Sequence, residues 1–469
     1  MRARTTPPMS NVMHGCILNL VLLVILFPSS QPNSIKELVQ WTTQHGGLTQ
    51  NWRLGNSSLP GGGRTAFVVN ALQKGDVLVR LPVQLTITHD TVQNHPLFQR
   101  YVATVSESKL ESCTSLALFL LLEHLPLGEP VASDWAKYYA TLPVKEHNFN
   151  LPQFHWDDSP EALRVLLSTP SMSSRISNAK QKFEQLISLF SPTIFALLLQ
   201  EYSHISEHDI ISMFLWAYSI VQTRAIVYGN KCTLVPMIDL LNHDKEGHLF
   251  VVFVYDDNDS VIHSVGVVAS HNVSAGDEMS FSYTGERAQP KCAQNMLLDF
   301  GFLPKMAWCV ELNVPVAPWT DLQSELKTTQ RMLLEELGVQ IGSTMTIQLR
   351  EGDAELPMLL MAVSRLLFCE NDEILKANKR SSAASLLSTK NERKALRYLH
   401  ELVTNMLLAI PSLDKEDKLM WSTSKEGQMK IALQVRQHER SFLRKVLDLI
   451  GEQWTAVLYN DLRDEIGSF

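Results

Sequence analysis

The sequence of 469 residues has few cysteines and no excess of positive charge. Its six cysteines are scattered and include no C-x-x-C pair, a spacing that excludes a zinc ribbon. The formal net charge of -8 gives no basic surface of the kind that binds nucleic acid, so we expect no nucleic-acid partner. A hydrophobic content of 45% is ordinary for a globular protein, and the length suffices for two or three domains.

The N-terminus has the three-part pattern of a secretory signal peptide. Arg2 and Arg4 precede an apolar core at residues 16–27, and the small residues Ser29 and Ser30 follow. Because the core is too short for a comfortable membrane span, we expect cleavage near Ser30 and no stable span afterwards. A signal anchor, the first half of a two-part plastid signal reached through the secretory route, and a cytoplasmic location are the alternatives.

Cysteines and glycosylation sequons add little to this prediction. With Cys16 in the cleaved segment five cysteines remain, and an odd number argues against a full disulfide framework. The N-x-S sequons at Asn56, Asn258 and Asn272 are about as many as chance would give, and on their own they decide nothing.

The strongest functional signal lies in residues 234–283. This stretch opens with the apolar run LVPMIDLLNHD, which ends on the polar pair Asn242–His243, and it closes with GDEMSFSY, which ends on Tyr283. Strand-like segments at 249–255 and 260–270 lie between them. Taken alone, the pair has an ordinary explanation, in which Asn242 caps a turn and His243 is a core histidine whose hydrogen bonds are satisfied. Polar side chains at the tip of a buried segment otherwise need a partner or a ligand.

Residues 59–82, LPGGGRTAFVVNALQKGDVLVRLP, supply a second signal. The glycines permit a tight turn whose amides can face a ligand, and two strand patterns around the turn at 74–76 predict a hairpin. This opening, the Asn-His run, the strand ending in Ser-Tyr and the DFGF sequence at 299–302 resemble a SET domain. The form they resemble is the split SET domain of the plant Rubisco large-subunit lysine methyltransferase family.

The resemblance implies a site for S-adenosyl-L-methionine and no metal. The cofactor-binding residues that it implies are Gly62, Gly63, Arg64, Arg224, Asn242, His243 and Phe302. In the family the glycine loop holds the amino-acid end of the cofactor through backbone groups, the arginine lines the pocket, the Asn-His pair holds adenine and ribose, and the phenylalanine stacks on adenine. Tyr283 is the implied catalytic residue, whose hydroxyl would orient the acceptor amine or steer the methyl group.

The chain departs from the family at three points. Thr65 stands where the family usually has glycine, the segment from Tyr283 to Gly301 is longer than usual, and Ala293 replaces an asparagine. We therefore assign no cofactor contact to the longer segment.

Helices are predicted between and after the two SET halves. Residues 90–211 read as helical, and the apolar run at 115–123 predicts a buried helix. A helix over 211–228 would deliver Arg224, although a lone arginine at a helix end is more often a surface charge. Further helices are predicted after Phe302, over 321–337, 356–368, 392–410 and 429–450.

The expected fold is α+β, with a SET-domain β-fold that carries a helical insertion, followed by an all-α C-terminal substrate-binding domain like that of the Rubisco family. The expected divisions are a targeting segment (1–30), the N-terminal SET part (31–94), the helical insertion (95–215), the C-terminal SET part (216–304) and the substrate-binding domain (305–469).

Three functions compete on these grounds. The first is a protein-lysine N-methyltransferase that acts, as a monomer, on a non-histone protein, since the cysteine-rich flanks of histone-type SET enzymes are missing. The second is a catalytically silent SET fold that serves as a binding module. The third is a protein-histidine methyltransferase, but the aliphatic Ile226 and Ile238 stand where the actin-histidine enzyme has asparagine and tryptophan. Lysine is therefore the favoured acceptor.

Overall fold

The structure is a computed structural model that describes the chain between residues 32 and 467. The described residues are 32–49, 51–57, 63–102, 110–125, 134–143, 149–255, 262–283, 291–316, 325–340, 342–353, 355–370, 373, 387–411, 414–423 and 427–467. The predicted signal segment, Gly62 and the predicted turn at 256–259 lie outside them.

The described chain contains helices and strands in separate runs, with the helices of residues 89–224 between the strands Ile87–Thr88 and Ile226–Tyr228, so the α+β class is confirmed. The helices are α1 (Pro32–Gln44), α2 (His89–Gln93), α3 (Pro96–Val102), α4 (Ser112–His124), α5 (Ala136–Tyr139), α6 (Pro152–His155), α7 (Pro160–Leu167), α8 (Pro170–Phe190), α9 (Ala196–Glu201), α10 (Glu207–Arg224), α11 (Ala293–Phe300), α12 (Glu325–Glu336), α13 (Met358–Leu367), α14 (Thr389–Ala409), α15 (Asp414–Thr423) and α16 (Gly427–Gly467). The strands are β1 (Leu48–Thr49), β2 (Trp52–Asn56), β3 (Arg64–Val68), β4 (Val77–Pro82), β5 (Ile87–Thr88), β6 (Ile226–Tyr228), β7 (Lys231–Leu234), β8 (Asn242–His243), β9 (Leu249–Tyr255), β10 (Ile262–Ala269), β11 (Ser280–Phe281), β12 (Cys309–Pro315) and β13 (Thr344–Arg350).

The chain divides into two compact units. The first comprises Met1–Phe149 and Phe190–Tyr283, and the second comprises Asn150–Leu189 and Thr284–Phe469. These limits do not coincide with the five-part division predicted from the sequence, which stays a prediction. One helical stretch, Pro170–Glu201, is by length and composition apolar enough to cross a membrane, a test that core helices of soluble proteins also meet.

The described residues of the first unit form three sheets. The largest has the strand order β1-β4-β10-β9-β11-β8, the second pairs β2 with β3, and the third has the order β5-β7-β6. The predicted hairpin over residues 59–82 is therefore wrong. The second of its strands, β4, pairs with β1 and β10, whereas β3 pairs antiparallel with β2. The sequence pattern located both strands, but the choice of partner depends on residues far away in the chain.

Helix α4 forms the centre of the helical part of the first unit. Its residues from Thr114 to Leu122 are all buried, as the apolar run predicted. It packs against α10, which begins at a capping box formed by Ser206 and Asp209. Helix α10 ends at Arg224, four residues before the predicted end, and the chain continues directly into β6. This ending places the arginine at the entrance to the β-structure.

The second unit contains helices and one two-stranded sheet. Strands β12 and β13 pair antiparallel over seven residues each, from Cys309 opposite Arg350 to Pro315 opposite Thr344. The expectation of an all-α C-terminal domain is corrected by this sheet. Its buried face packs in one hydrophobic core with α13, α14 and α16, through residues that include Val310, Ile347, Leu360, Leu399 and Leu443.

The described cysteines form two disulfides, one in each unit. Cys113 pairs with Cys232, and Cys292 pairs with Cys309. Cys369 carries a free thiol. Four of the five cysteines that follow the predicted signal segment are therefore paired, so the odd number leaves one thiol unpaired rather than excluding disulfides.

Candidate functional site

A tight turn connects β7 to the Asn242–His243 pair. A 3-10 turn at Ile238–Leu240 leads into β8, and Met237 just before it has a φ of +72°. This left-handed conformation is uncommon for a residue other than glycine and costs on the order of 1 kcal/mol or more. Met237 and Ile238 are buried, so the surrounding core holds the turn in place. The turn aims the following polar residues along the sheet edge.

Strand β8 lies parallel to β11, which brings the two ends of the predicted 234–283 stretch together. Asn242 is opposite Ser280, and His243 is opposite Phe281. Strand β11 also pairs with β9, so it occupies the position between β8 and β9 in the sheet. Gly247 makes this possible, because a Cβ at that position would lie 2.6 Å from the Cα atom of Phe281.

The side chain of Asn242 connects β8 to the glycine loop through one carboxylate. Its Nδ2 donates to Glu278 Oε1 at 3.1 Å, and Ser57 Oγ donates to the same oxygen at 2.6 Å. The backbone N–H of Ser57 in turn donates to Gly63 O at 2.7 Å. Gly63 has a φ of +56° and is exposed, as a turn that presents backbone groups to a ligand requires.

Tyr283 is fixed at both its backbone and its hydroxyl. Its N–H donates to His243 Nδ1 at 3.1 Å, and its Oη donates to Leu241 O at 2.6 Å. Burial raises the pKa of Tyr283 above the ordinary tyrosine value, with Arg224 lowering it and Asp239 raising it. The phenol therefore keeps its proton at neutral pH. The hydroxyl donates a hydrogen bond to the Leu241 carbonyl, and a phenolic oxygen can accept hydrogen bonds as well as donate one.

His243 is neutral in this arrangement. Burial lowers its pKa below the ordinary histidine value, although Asp244 and the backbone of Phe281 raise it. Because Nδ1 accepts the N–H of Tyr283, the ring proton belongs on Nε2. A neutral ring of fixed tautomer positions the tyrosine and can contact an uncharged ligand group.

A buried ion pair lies beside the tyrosine. Arg224 Nη1 contacts Asp239 Oδ2 at 3.2 Å and donates to Asp239 O at 3.1 Å. Tyr138 Oη donates to the same carboxylate oxygen at 3.0 Å. Burial raises the pKa of Asp239 above its ordinary value, and the positive charge of Arg224 lowers it. Arg224 is therefore not a surface charge at a helix end. It is held against the turn that carries the Asn-His run.

Two buried polar atoms of the described site have no hydrogen-bond partner. They are Thr65 Oγ1 and Asp239 Oδ1. The Thr65 residue and the Asp239 side chain are fully buried. A buried polar atom without a partner costs roughly 1–3 kcal/mol unless a ligand or water satisfies it. The polar character of this region, with an exposed glycine turn and a neutral histidine, fits a polar cofactor.

The structure brings most of the predicted site residues of the first unit into one connected set. Gly63 is linked to Asn242 through Ser57 and Glu278, His243 holds Tyr283, and Arg224 contributes to the electrostatic surroundings of that tyrosine. The backbone of Arg64 begins β3. Among the described residues, no group of three histidine, cysteine or acidic side chains could hold a metal ion.

Phe302 belongs to the second unit. It follows Gly301, which ends α11 in the left-handed conformation with a φ of +80°. A Cβ at Gly301 would lie 3.1 Å from the backbone of Asn150, whose side chain donates to Gly301 O at 2.8 Å. Phe302 is half-buried, with its ring 6.3 Å from that of Phe300. The positive φ and the close approach of Asn150 explain the glycine at position 301, and the stacking of Phe302 on adenine stays a prediction.

Sequence reasoning missed several residues that build the site. Glu278, Asp239 and Tyr138 supply its internal polar contacts. Asp239 could have been noticed as the single acidic residue inside the apolar run VPMIDLL. Glu278 lies in the quoted GDEMSFSY sequence, but nothing in its neighbours indicates a partner 221 residues away. Tyr138 carries no comparable signal.

These features define a SET fold of the Rubisco methyltransferase type. Residues 321–443 match the family model described as Rubisco LSMT substrate-binding. A crystal structure described as the SET domain of LSMT bound to lysine and AdoHcy aligns with a TM-score of 0.70 and 17% identity, over 91% of this chain and 92% of that one. The resemblance predicted from the sequence is thereby confirmed.

Two curated relatives share most of the chain's length. The large-subunit N-methyltransferase of ribulose-1,5-bisphosphate carboxylase/oxygenase, chloroplastic, from Nicotiana tabacum is 22% identical over 449 residues, which cover 90% of this chain and 82% of the relative. The actin-histidine N-methyltransferase from Gallus gallus is 21% identical over 448 residues, or 91% and 70% of the two chains. The relatives thus include N-methyltransferases that are named for different protein substrates.

Proposed function

We propose that the chain is an S-adenosylmethionine-dependent protein-lysine N-methyltransferase that acts, as a monomer, on a non-histone protein. The observation that carries the proposal is the placement of Tyr283. Its protonated hydroxyl is anchored on Leu241 O, beside the Arg224–Asp239 pair and next to the Asn-His strand. A neutral phenol held in a fixed position suits an amine that must be oriented before attack.

The cofactor would be held by the connected polar set of the first unit. The exposed Gly63 turn would present backbone groups to its amino-acid end, while Asn242 and His243 would contact its nucleoside. S-Adenosylmethionine, when bound, supplies a methyl group on a sulfonium, so the donor needs no acid from the protein. The protein's task is alignment and exclusion of water.

The acceptor amine presents the harder problem. A free lysine has a pKa near 10.4 and must be neutral to attack, which costs about 4–5 kcal/mol at pH 7. Desolvation lowers the pKa of an amine. The hydroxyl of Tyr283 would accept a hydrogen bond from the neutral amine and leave the nitrogen lone pair free for attack. Because its own pKa is raised by burial, Tyr283 serves here as an orienting group rather than as a base.

Lysine is favoured over histidine by two side chains. Ile238 is fully buried in the turn before β8, and Ile226 is half-buried in β6. Neither can hydrogen-bond an imidazole, although the actin-histidine enzyme is among the relatives. The lysine in the described LSMT complex agrees with this choice.

The test pairs cofactor affinity with turnover on purified protein from residue 31 onward. Calorimetric titration with S-adenosylmethionine should give binding that Asn242→Ala weakens by about 1–3 kcal/mol, because Glu278 then loses the half-buried donor that ties it to β8. Tyr283→Phe should leave that affinity nearly unchanged, while single-turnover methylation of a labelled protein extract falls by about 10²- to 10⁴-fold.

The outcomes separate the three functions. Mass spectrometry of the labelled protein should find methyl-lysine, and methyl-histidine would replace the lysine proposal by the histidine alternative. Cofactor binding without any methylation of the extract would favour a silent binding module. A Tyr283→Phe protein that retains both affinity and rate would remove the tyrosine from the catalytic role.

A further inference from the structure

Each unit contains one disulfide, in which three of the four cysteines are buried and Cys113 is half-buried. Cys113 in the first turn of α4 joins Cys232 in β7, with Cα atoms 5.1 Å apart and Ser112 Oγ accepting the N–H of Cys232 at 2.9 Å. Cys292 joins Cys309, with Cα atoms 5.7 Å apart. Cys232, Cys292 and Cys309 are each 1% exposed.

Closed structural disulfides indicate an oxidising compartment. Cytosolic and nuclear thiols are kept reduced, whereas the lumen of the secretory route supports disulfide formation. Cys369 has no disulfide partner, and burial raises the pKa of its thiol to about 12, so it would not exchange readily with the two bonds. The two disulfides therefore involve four cysteines, and the unreactive thiol of Cys369 lies outside them.

Asn272 is the asparagine of an N-x-S sequon; it is exposed and lies shortly after β10. Its Oδ1 accepts the backbone N–H of Lys74 at 3.1 Å, which fixes the amide plane and directs the Nδ2 end away from that contact. Val273 is buried and pairs with Leu72 in a β-bridge, and Ser274 is exposed. The asparagine and the hydroxyl residue of N-V-S thus both face solvent, while the residue between them anchors the turn.

We propose that the chain matures in the oxidising lumen of the secretory route, and that Asn272 is an N-glycosylation site there. In this reaction the Asn272 Nδ2–C1 bond to the glycan forms, the C1–O bond of a lipid-pyrophosphate-linked oligosaccharide breaks, the lipid pyrophosphate leaves with the electron pair, and the amide nitrogen loses one proton. The folded turn has room for the product, since the acceptor nitrogen belongs to an exposed side chain.

The other sequons are less informative. The serine that completes the Asn56 sequon, at position 58, and the whole Asn258 sequon lie outside the described residues. The proposal agrees with the signal peptide predicted from Arg2, Arg4 and the apolar core, but it rests on the disulfides and on Asn272. It is independent of the proposed methyl transfer.

The experiment expresses the full chain in a eukaryotic cell and follows the glycan and the thiols in parallel. Treatment with peptide-N-glycosidase F should increase gel mobility and convert residue 272 to aspartate in the peptide mass spectrum. Asn272→Gln and Ser274→Ala should each remove the part of the shift that comes from a glycan at residue 272. Ser274→Thr, which keeps the sequon hydroxyl, and Asn56→Gln, the matched control, should both retain it.

The thiols are measured by alkylation before and after reduction. Cys113, Cys232, Cys292 and Cys309 should be modified only after reduction, and Cys369 should be the thiol found free in denatured, unreduced protein. An unshifted wild-type chain, or an asparagine that remains at residue 272 after treatment of the wild-type chain, would overturn the glycan assignment. Four cysteines that alkylate without reduction would overturn lumenal maturation.

Discussion

Removing the guanidinium of Arg224 should destabilise the first unit. The Asp239 side chain is 0% exposed, and the Arg224 side chain that pairs with it is 22% exposed. The distance from Arg224 Nη1 to Asp239 Oδ2 is 3.2 Å. Removing one partner of a buried ion pair typically costs about 3–5 kcal/mol, because the remaining charge stays buried. Tyr138 Oη still donates to the carboxylate at 3.0 Å. We therefore place Arg224→Met at about 3 kcal/mol, the lower end of that range.

The assay is urea unfolding followed by tryptophan fluorescence and circular dichroism, with Arg331→Met as the matched control. Arg331 pairs with Glu335 at 2.8 Å, but both side chains are 49% exposed. An exposed pair of this kind contributes about 0–1 kcal/mol. The same chemical change should thus cost about 3 kcal/mol at residue 224 and less than about 1 kcal/mol at residue 331.

A double variant distinguishes a buried charge from lost packing. Arg224→Met combined with Asp239→Leu removes both charges, so most of the lost stability should return, apart from the hydroxyl of Tyr138 that then lacks its acceptor. If Arg224→Met costs no more than Arg331→Met, or if the double variant loses the sum of both single changes, the ion pair does not hold the site as argued.

Two further predictions concern stability. His124 packs between the rings of Trp216 and Tyr139, and burial lowers its pKa to about 4. The free energy of unfolding should therefore fall as pH decreases from about 6.5 towards 4, because the unfolded chain binds the proton more readily. Thermal unfolding between pH 7 and pH 5 should show a flatter pH profile for His124→Phe than for the unchanged protein, and identical profiles would contradict this assignment. In the chain-entropy account of disulfides, Cys113→Ser should cost about 5 kcal/mol and Cys292→Ser about 3 kcal/mol, because the bonds close sequence separations of 119 and 17 residues; equal losses in urea unfolding of the oxidised proteins would refute this ordering.

Local periodicity predicted the positions of elements better than their partners. The run at 249–255 became β9 over Leu249–Tyr255, and the all-round apolar pattern of 115–123 lies within the buried α4. Both are properties of consecutive residues. The prediction of a hairpin over 59–82 was wrong because β4 pairs with β1 and β10. Strand pairing depends on residues that a local sequence pattern does not contain. The sheet of β12 and β13 was missed among strong helical patterns on both sides.

The site shows the same limit at the level of side chains. Motif order identified Arg224, Asn242, His243 and Tyr283, which the structure joins through hydrogen bonds and charge. Their supporting contacts span large separations, such as 101 residues between Tyr138 and Asp239. No spacing rule connects residues that far apart, so the groups that hold a site are harder to predict than the groups that contact a ligand.

The departure at Thr65 bears on strand pairing rather than on the glycine turn. Thr65 is fully buried in β3 and lies opposite Gly55 in β2, so its backbone is committed to the sheet. Gly63 lies two residues earlier, exposed, with a φ of +56° and no atom within 4 Å of where a Cβ would stand. Gly63 therefore keeps an exposed, left-handed backbone in a chain with threonine at position 65. A threonine that leaves Gly63 in this conformation gives no reason to favour a silent binding module over an enzyme, and the choice between them depends on Tyr283.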